Sequence, residues 1–193
     1  MAKVFIGGSR DIPILPEEAV RRLFNVVDRG HSVLVGDADG VDLAVQGFLR
    51  DLGHRDVTVF HASGRCRNNL GNWPGRAISP PPSARGYAFH AAKDREMADA
   101  AEFGLMFWDG RSNGTVLNVL RLVRTGKPSV LVDVPAGRTL TIGRPAEWDA
   151  FLAGLDPSFR AALRSRATRE EWEAAPPPAA PNLFGNSGPA AMR

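Results

Sequence analysis

The 193-residue chain has one cysteine, Cys66, one tyrosine, Tyr87, and only four histidines. A single thiol excludes an internal disulfide framework and any cysteine-rich zinc site. It fits a reducing compartment, so a cytoplasmic location is expected. His31, His54, His61 and His90 stand at no metal-ligand spacing, and neither a zincin helix nor a nucleophile elbow occurs. No apolar run approaches the roughly twenty residues of a membrane span. Met1-Ala2-Lys3 leads straight into Val4-Phe5-Ile6, without the apolar stretch and cleavage site of a secretory leader. Charge of one sign is also scarce: 24 Lys and Arg stand against 21 Asp and Glu, a net of +3. That surplus suits an anionic small molecule and is too small to argue for a surface that tracks nucleic acid.

Hydrophobic residues make up 44% of the chain and charged ones 23%, ordinary for a globular protein able to bury a full core. Val4–Gly8, Ser32–Val35, Val57–Phe60, Leu105–Trp108 and Ser129–Val134 are short, apolar and bounded by glycine or polar residues, as buried strands are. Helical spacing falls between them, over residues 17–27, 41–52, 87–101 and 115–124, with glycine after most of the helices. Continuously apolar strands alternating with helices predict an α/β fold: a Rossmann-like, doubly wound, mainly parallel sheet of five or more strands with helices on both faces. Arg138–Ile142 suggests an edge strand, and residues 147–153, 158–165 and 169–174 suggest short helices. One domain is expected over 1–175, with its core at 3–135 and short helices at 145–175. Its Pro/Ala/Gly-rich continuation, 176–193, is expected to be a disordered tail. Residues 61–86 form an unusually long connection, and its Arg65, Arg67, Asn68, Asn69 and Trp73 suggest contact with something.

In such a sheet, ligands bind outside the carboxyl ends of the strands, where strand order reverses. Three of the five expected strand ends carry glycine with small polar residues. They are Gly7-Gly8-Ser9-Arg10, then Gly36-Asp37-Ala38-Asp39-Gly40 with Asp42 just beyond, and Asp109-Gly110-Arg111-Ser112-Asn113-Gly114-Thr115. Glycine lets backbone N–H groups approach an oxyanion, and a following helix N-terminus favours a phosphate. Gly110–Thr115 is the best such cradle, with Ser112 and Thr115 adding hydroxyls. The plain alternative is a set of tight turns, with Ser112 or Asn113 capping one helix and Asp37 or Asp39 another. Asp37, Asp39 and Asp42 could instead hold ribose hydroxyls or a hard cation. Lys93 shares a helix face with Met97 one turn away and could reach the site. Neither the dinucleotide fingerprint nor a P-loop is present.

These segments, taken in order with Lys93-Asp94-Arg95-Glu96-Met97, resemble the YspA-like branch of the SMF/DprA–LOG (SLOG) superfamily over residues 3–135. The resemblance implies a Rossmann-like fold and a site for nucleotides or nucleotide-derived ligands. LOG phosphoribohydrolases in that superfamily carry an Arg-Lys pair on the helix before the fourth strand, and a catalytic glutamate just after a Gly-Thr. Here Gly114-Thr115 matches the Gly-Thr. Leu117-Asn118 stands where the glutamate would be, Lys93 where the arginine would be, and Asp94 replaces the lysine.

The expected ligand-binding set is therefore Gly7, Gly8, Ser9, Arg10, Gly36, Asp37, Asp39, Gly40, Asp42, Lys93, Asp109, Gly110, Ser112, Asn113, Gly114 and Thr115. The expected function is binding of a nucleotide-type small molecule, ADP-ribose-like ligands included, as a sensor or carrier. A phosphoribohydrolase or N-glycosidase acting on a nucleoside monophosphate is the alternative, with Asp109, Asp39, Asp42 or Lys93 as catalytic candidates. Single-stranded nucleic-acid binding through Arg65, Arg67 and Trp73 is the third reading, disfavoured by the small net charge. No metal or cofactor and no membrane partner is expected, and a homodimer is compatible with the fold.

Overall fold

A computed structural model of the chain describes residues 1–62 and 64–173. The expected tail at 176–193 lies outside the described residues. Seven strands and seven helices follow in the order β1 (Lys3–Gly8), α1 (Glu17–Asp28), β2 (Ser32–Gly36), α2 (Val41–Asp51), β3 (Val57–Ala62), β4 (Gly75–Ile78), α3 (Gly86–Ala100), β5 (Phe103–Trp108), α4 (Asn113–Arg124), β6 (Ser129–Asp133), β7 (Arg138–Ile142), α5 (Pro145–Ala153), α6 (Pro157–Arg166) and α7 (Arg169–Glu173).

The strands form one sheet in the order β4-β3-β2-β1-β5-β6-β7. All neighbours run parallel except β7, which pairs antiparallel to β6 from Ser129↔Ile142 to Asp133↔Arg138. This is the α/β, doubly wound, Rossmann-like architecture that the alternation predicts. Chain order reverses between β1 and β5, and that junction fixes where a ligand can enter.

Strand composition follows from burial on both faces. Val4 and Ile6 of β1 pack with Ala19, Leu23 and Val26 of α1 and with Val45 and Leu49 of α2. Phe5 points the other way, into a cluster with Met97 of α3 and Val116, Leu117 and Leu120 of α4. Helix α4 is buried on nearly every side, because α5 and α6 cover the flank that the sheet leaves open. Trp148 of α5 is 2% exposed. Phe151 and Phe159 meet the Trp108 ring at 5.9 and 5.8 Å. Each such side chain stabilises the fold by about 2 kcal/mol or more through burial alone.

The long connection differs from expectation in two ways. Strand β3 runs on to Ala62, and residues 75–78 form β4 at the free edge of β3. Three of the polar residues before β4 are used within the chain, whereas Arg65 is exposed. Arg67 pairs with Asp37, Asn68 donates to Asp39, and Asn69 Nδ2 donates to the Trp73 carbonyl. Trp73 itself is buried and donates its indole N–H to the His54 carbonyl at 3.0 Å. Its ring is therefore not presented for stacking against a nucleic-acid base.

Candidate functional site

A cleft of about 700 Å³ opens above the β1/β5 junction, within the usual size range of small-molecule sites. The end of β1 supplies Gly7, Gly8, Ser9 and Arg10, and α2 supplies Asp42. Helix α3 supplies Lys93, the β5–α4 turn supplies Asp109 and Ser112, and the first turn of α4 supplies Asn113, Gly114 and Thr115. Those eleven of the sixteen expected residues meet in one place. Gly36, Asp37, Asp39, Gly40 and Gly110 stand behind it.

The five set back have structural tasks. Asp37 accepts from Arg67 Nη2 at 2.6 Å and Nε at 3.0 Å. Burial opposes ionisation of Asp37, but the Arg67 contacts win and hold its carboxyl below the ordinary range. Asp39 accepts from Asn68 Nδ2 at 3.1 Å. Neither aspartate caps α2, whose N-cap is Gly40 with no side-chain bond. Gly40 has φ +73°, and a Cβ there would lie 2.3 Å from the Arg10 carbonyl oxygen, so only glycine fits. Gly110 turns the chain at φ +79°. Gly36 makes room: a Cβ there would fall 2.2 Å from Asp42 Oδ2 and 2.5 Å from Lys93 Nζ.

Asp109 braces the cradle. Its Oδ1 accepts the backbone N–H of Arg111 at 3.0 Å and of Ser112 at 2.7 Å, and its Oδ2 accepts the Ser9 hydroxyl at 2.8 Å. Burial raises the Asp109 carboxyl, but these donors outweigh it and keep the group ionised below the usual range. Ser112 is the N-cap of α4, accepting from the Thr115 N–H and hydroxyl. Asn113 and Gly114 of the first turn of α4 line the cleft. Above Gly114 an added Cβ would meet nothing nearer than Tyr87 Cε2 at 3.9 Å.

The floor carries buried charge. Lys93, 5% exposed, donates to Asp94 Oδ1 at 2.9 Å and stands 3.9 Å from Asp42 Oδ2. Burial works against the Lys93 ammonium, yet Asp94 and Asp42 hold its pKa above the ordinary value. Asp94 is held low despite burial, first by Lys93 and then by Arg121. Asp42 behaves differently. Burial dominates the pull of Lys93 and pushes its carboxyl up to about 6.

Several contributors have no glycine or motif to announce them. Tyr87, His90, Asp94, Asn118 and Arg166 line the cleft from α3, α4 and α6. On α3, positions 87, 90, 91, 94 and 97 repeat at helical spacing, a signal present in the sequence. His90 Nδ1 and Asn113 Oδ1 are buried without hydrogen-bond partners among the described residues. Burial, then Arg10, Arg67 and Lys93, lower the pKa of His90 and favour its neutral form. Behind this wall Arg121 donates to Asn118 Oδ1 at 2.5 Å, to the Tyr87 hydroxyl at 3.2 Å and to Glu171 Oε1 at 2.7 Å. Among the described residues, no cluster of three or more His, Cys, Asp or Glu side chains is arranged to hold a metal ion. Nor is any helix there long and apolar enough to cross a membrane.

Comparisons with protein-family models, curated proteins and solved structures return no match.

Proposed function

We propose that this chain binds a nucleotide or nucleotide-derived ligand in the β1/β5 cleft, with a phosphate against the first turn of α4, and that it is a YspA-like member of the SLOG superfamily. The observation that carries the proposal is the open first turn of α4. Asn113 and Gly114 line the cleft, and a Cβ on Gly114 would meet only Tyr87 Cε2 at 3.9 Å and Ser112 Oγ at 4.0 Å, without a clash. Helix N-termini favour anions through free N–H groups and the helix dipole. Arg10, Arg111 and Arg166 line the same cleft from three different elements. None of them forms an ion pair among the described residues. An arginine without a carboxylate partner is free to take a phosphate in bidentate fashion.

Gly114→Asp is the test. A Cβ at Gly114 meets no atom nearer than 3.9 Å and the position borders the cleft, so the fold is expected to survive. The new carboxylate would face the phosphate at about 4 Å, where like charges near a surface repel by about 4 kcal/mol. Native mass spectrometry with AMP, ADP, ADP-ribose and NAD should show a stoichiometric adduct for the natural chain, and a loss of affinity of a hundredfold or more in the variant. A folded Gly114→Asp protein with unchanged affinity refutes the placement of the phosphate.

A further inference from the structure

We infer that Asp42 grips the vicinal hydroxyls of the ligand's sugar, so that the cleft selects ribonucleotides over their deoxy counterparts. This rests on the nucleotide reading above and assigns a role to the carboxylate that α2 brings to the cleft.

Three aspartates cluster in sequence, and the fold sorts them. Asp37 is spent on Arg67 and Asp39 on Asn68, and neither lines the cleft. Asp42 does line it, with its side chain nine-tenths buried. Its Oδ2 accepts the Ala38 N–H at 3.2 Å. No group among the described residues donates a hydrogen bond to its Oδ1. Lys93 does not fill that role, because its ammonium donates to Asp94 and stops 3.9 Å from Asp42. A cleft-lining carboxylate oxygen without a donor from the chain leaves its hydrogen-bond capacity to a ligand or to water. The fold keeps Gly36 bare beneath it, where a Cβ would fall 2.2 Å from Oδ2. A vicinal diol supplies the missing donors: two O–H groups at a spacing suited to one carboxylate. Carboxylates of dinucleotide-binding folds hold ribose hydroxyls by the same chemistry.

The charged groups that bear on Asp42 are Lys93 and Asp94 from α3, Asp37 from the β2–α2 turn, and Arg67 from the segment before β4. Their balance leaves the carboxyl titrating at about 6. Sugar recognition therefore strengthens as pH rises from 5 to 7 and the better acceptor forms. The phosphate of a nucleotide ionises near the same pH. A ribonucleotide and its 2′-deoxy form carry the same phosphate, so their affinity ratio removes that contribution.

The experiment titrates the full chain with the four ribonucleoside 5′-monophosphates and their 2′-deoxy counterparts at pH 5 and pH 7. The best-bound ribonucleotide should exceed its deoxy form roughly tenfold or more at pH 7, as expected for a hydrogen bond to a charged group, and by less at pH 5. In Asp42→Asn the ratio should fall toward one, because ribonucleotide binding, which loses both hydroxyl contacts, weakens more than deoxy binding, which loses only that of the 3′-hydroxyl. Equal affinity for the two sugars in the natural chain overturns the inference and leaves the phosphate site standing. Discrimination that survives in Asp42→Asn also overturns it, as would hold if Asp42 served only to neutralise Lys93. Absence of binding by all eight nucleotides overturns the inference, and absence of any adduct with ADP-ribose and NAD as well overturns the nucleotide reading. Should Asp42→Asn fail to fold, the pH dependence of the ratio in the natural chain decides: a ratio constant from pH 5 to 7 is the overturning result.

Discussion

Glu171→Gln should destabilise the protein at neutral pH and much less in acid. Glu171 sits on α7 and ties three elements together. Its Oε1 accepts from Arg95 Nε of α3 and Arg121 Nε of α4, each at 2.7 Å, and its Oε2 accepts the Thr168 N–H at 2.8 Å. Burial disfavours the charge, but the Arg95 and Arg121 contacts outweigh it and hold the carboxyl at about 2. A shift from 4.5 to about 2 corresponds to about 3 kcal/mol at 1.36 kcal/mol per unit. The carboxyl is partly reached by solvent, which screens the interaction and brings the expected loss to about 1–2 kcal/mol. Because the folded pKa is depressed, this stability is fully present above pH 4.5 and is lost as pH falls through 2. Urea unfolding at pH 7 and pH 3 should therefore show the gap between natural chain and variant closing by roughly half. A gap of the same size at both pH values, or none at pH 7, would refute the assignment of Glu171 as the anion that holds α3 and α4 together. Glu171→Ala should cost more, about 3 kcal/mol or above, because it strands the buried Arg121 guanidinium.

Gly36→Ala should cost about 1–3 kcal/mol by forcing Asp42 and Lys93 aside, and Gly36→Ala/Asp42→Ser should recover part of the loss in thermal unfolding; a fully additive double variant contradicts the clash. Gly40→Ala, which combines positive φ with contact against the Arg10 backbone, should destabilise by at least ~1 kcal/mol. Trp148→Ala empties a site packed against Phe151 and should lower stability by about 3–5 kcal/mol, read from denaturant midpoints; a loss under ~1 kcal/mol would mean that α5 is not part of the core.

The central strands were legible because burial on both faces leaves an unbroken apolar run, as in Val4–Ile6 and Leu105–Trp108. The edge strand at Arg138–Ile142 was legible too, although its antiparallel direction was not. Strand β4 was not. Gly-Arg-Ala-Ile is four residues long and mostly exposed, and it is held by the free edge of β3 rather than by any preference of its own. Strand-end glycines pointed to the cleft because their role is local, in the backbone. The ordering of Asp37, Asp39 and Asp42 was beyond local reading. It depends on Arg67 and Asn68, some thirty residues away, arriving to occupy the first two. Arg166 was equally hidden, since α6 reaches the cleft only after the chain has crossed the entire sheet.

The Ser9–Asp109 hydrogen bond joins residues one hundred positions apart, across the β1–β5 pairing at the middle of the sheet. Closing so long a loop is slow and comes late relative to local helix formation. No fragment ending before β5 can contain the cleft, which therefore forms only after this long-range pairing is made. A ligand for this cleft would act on the nascent chain as a selector of finished molecules, drawing the folding equilibrium forward by mass action.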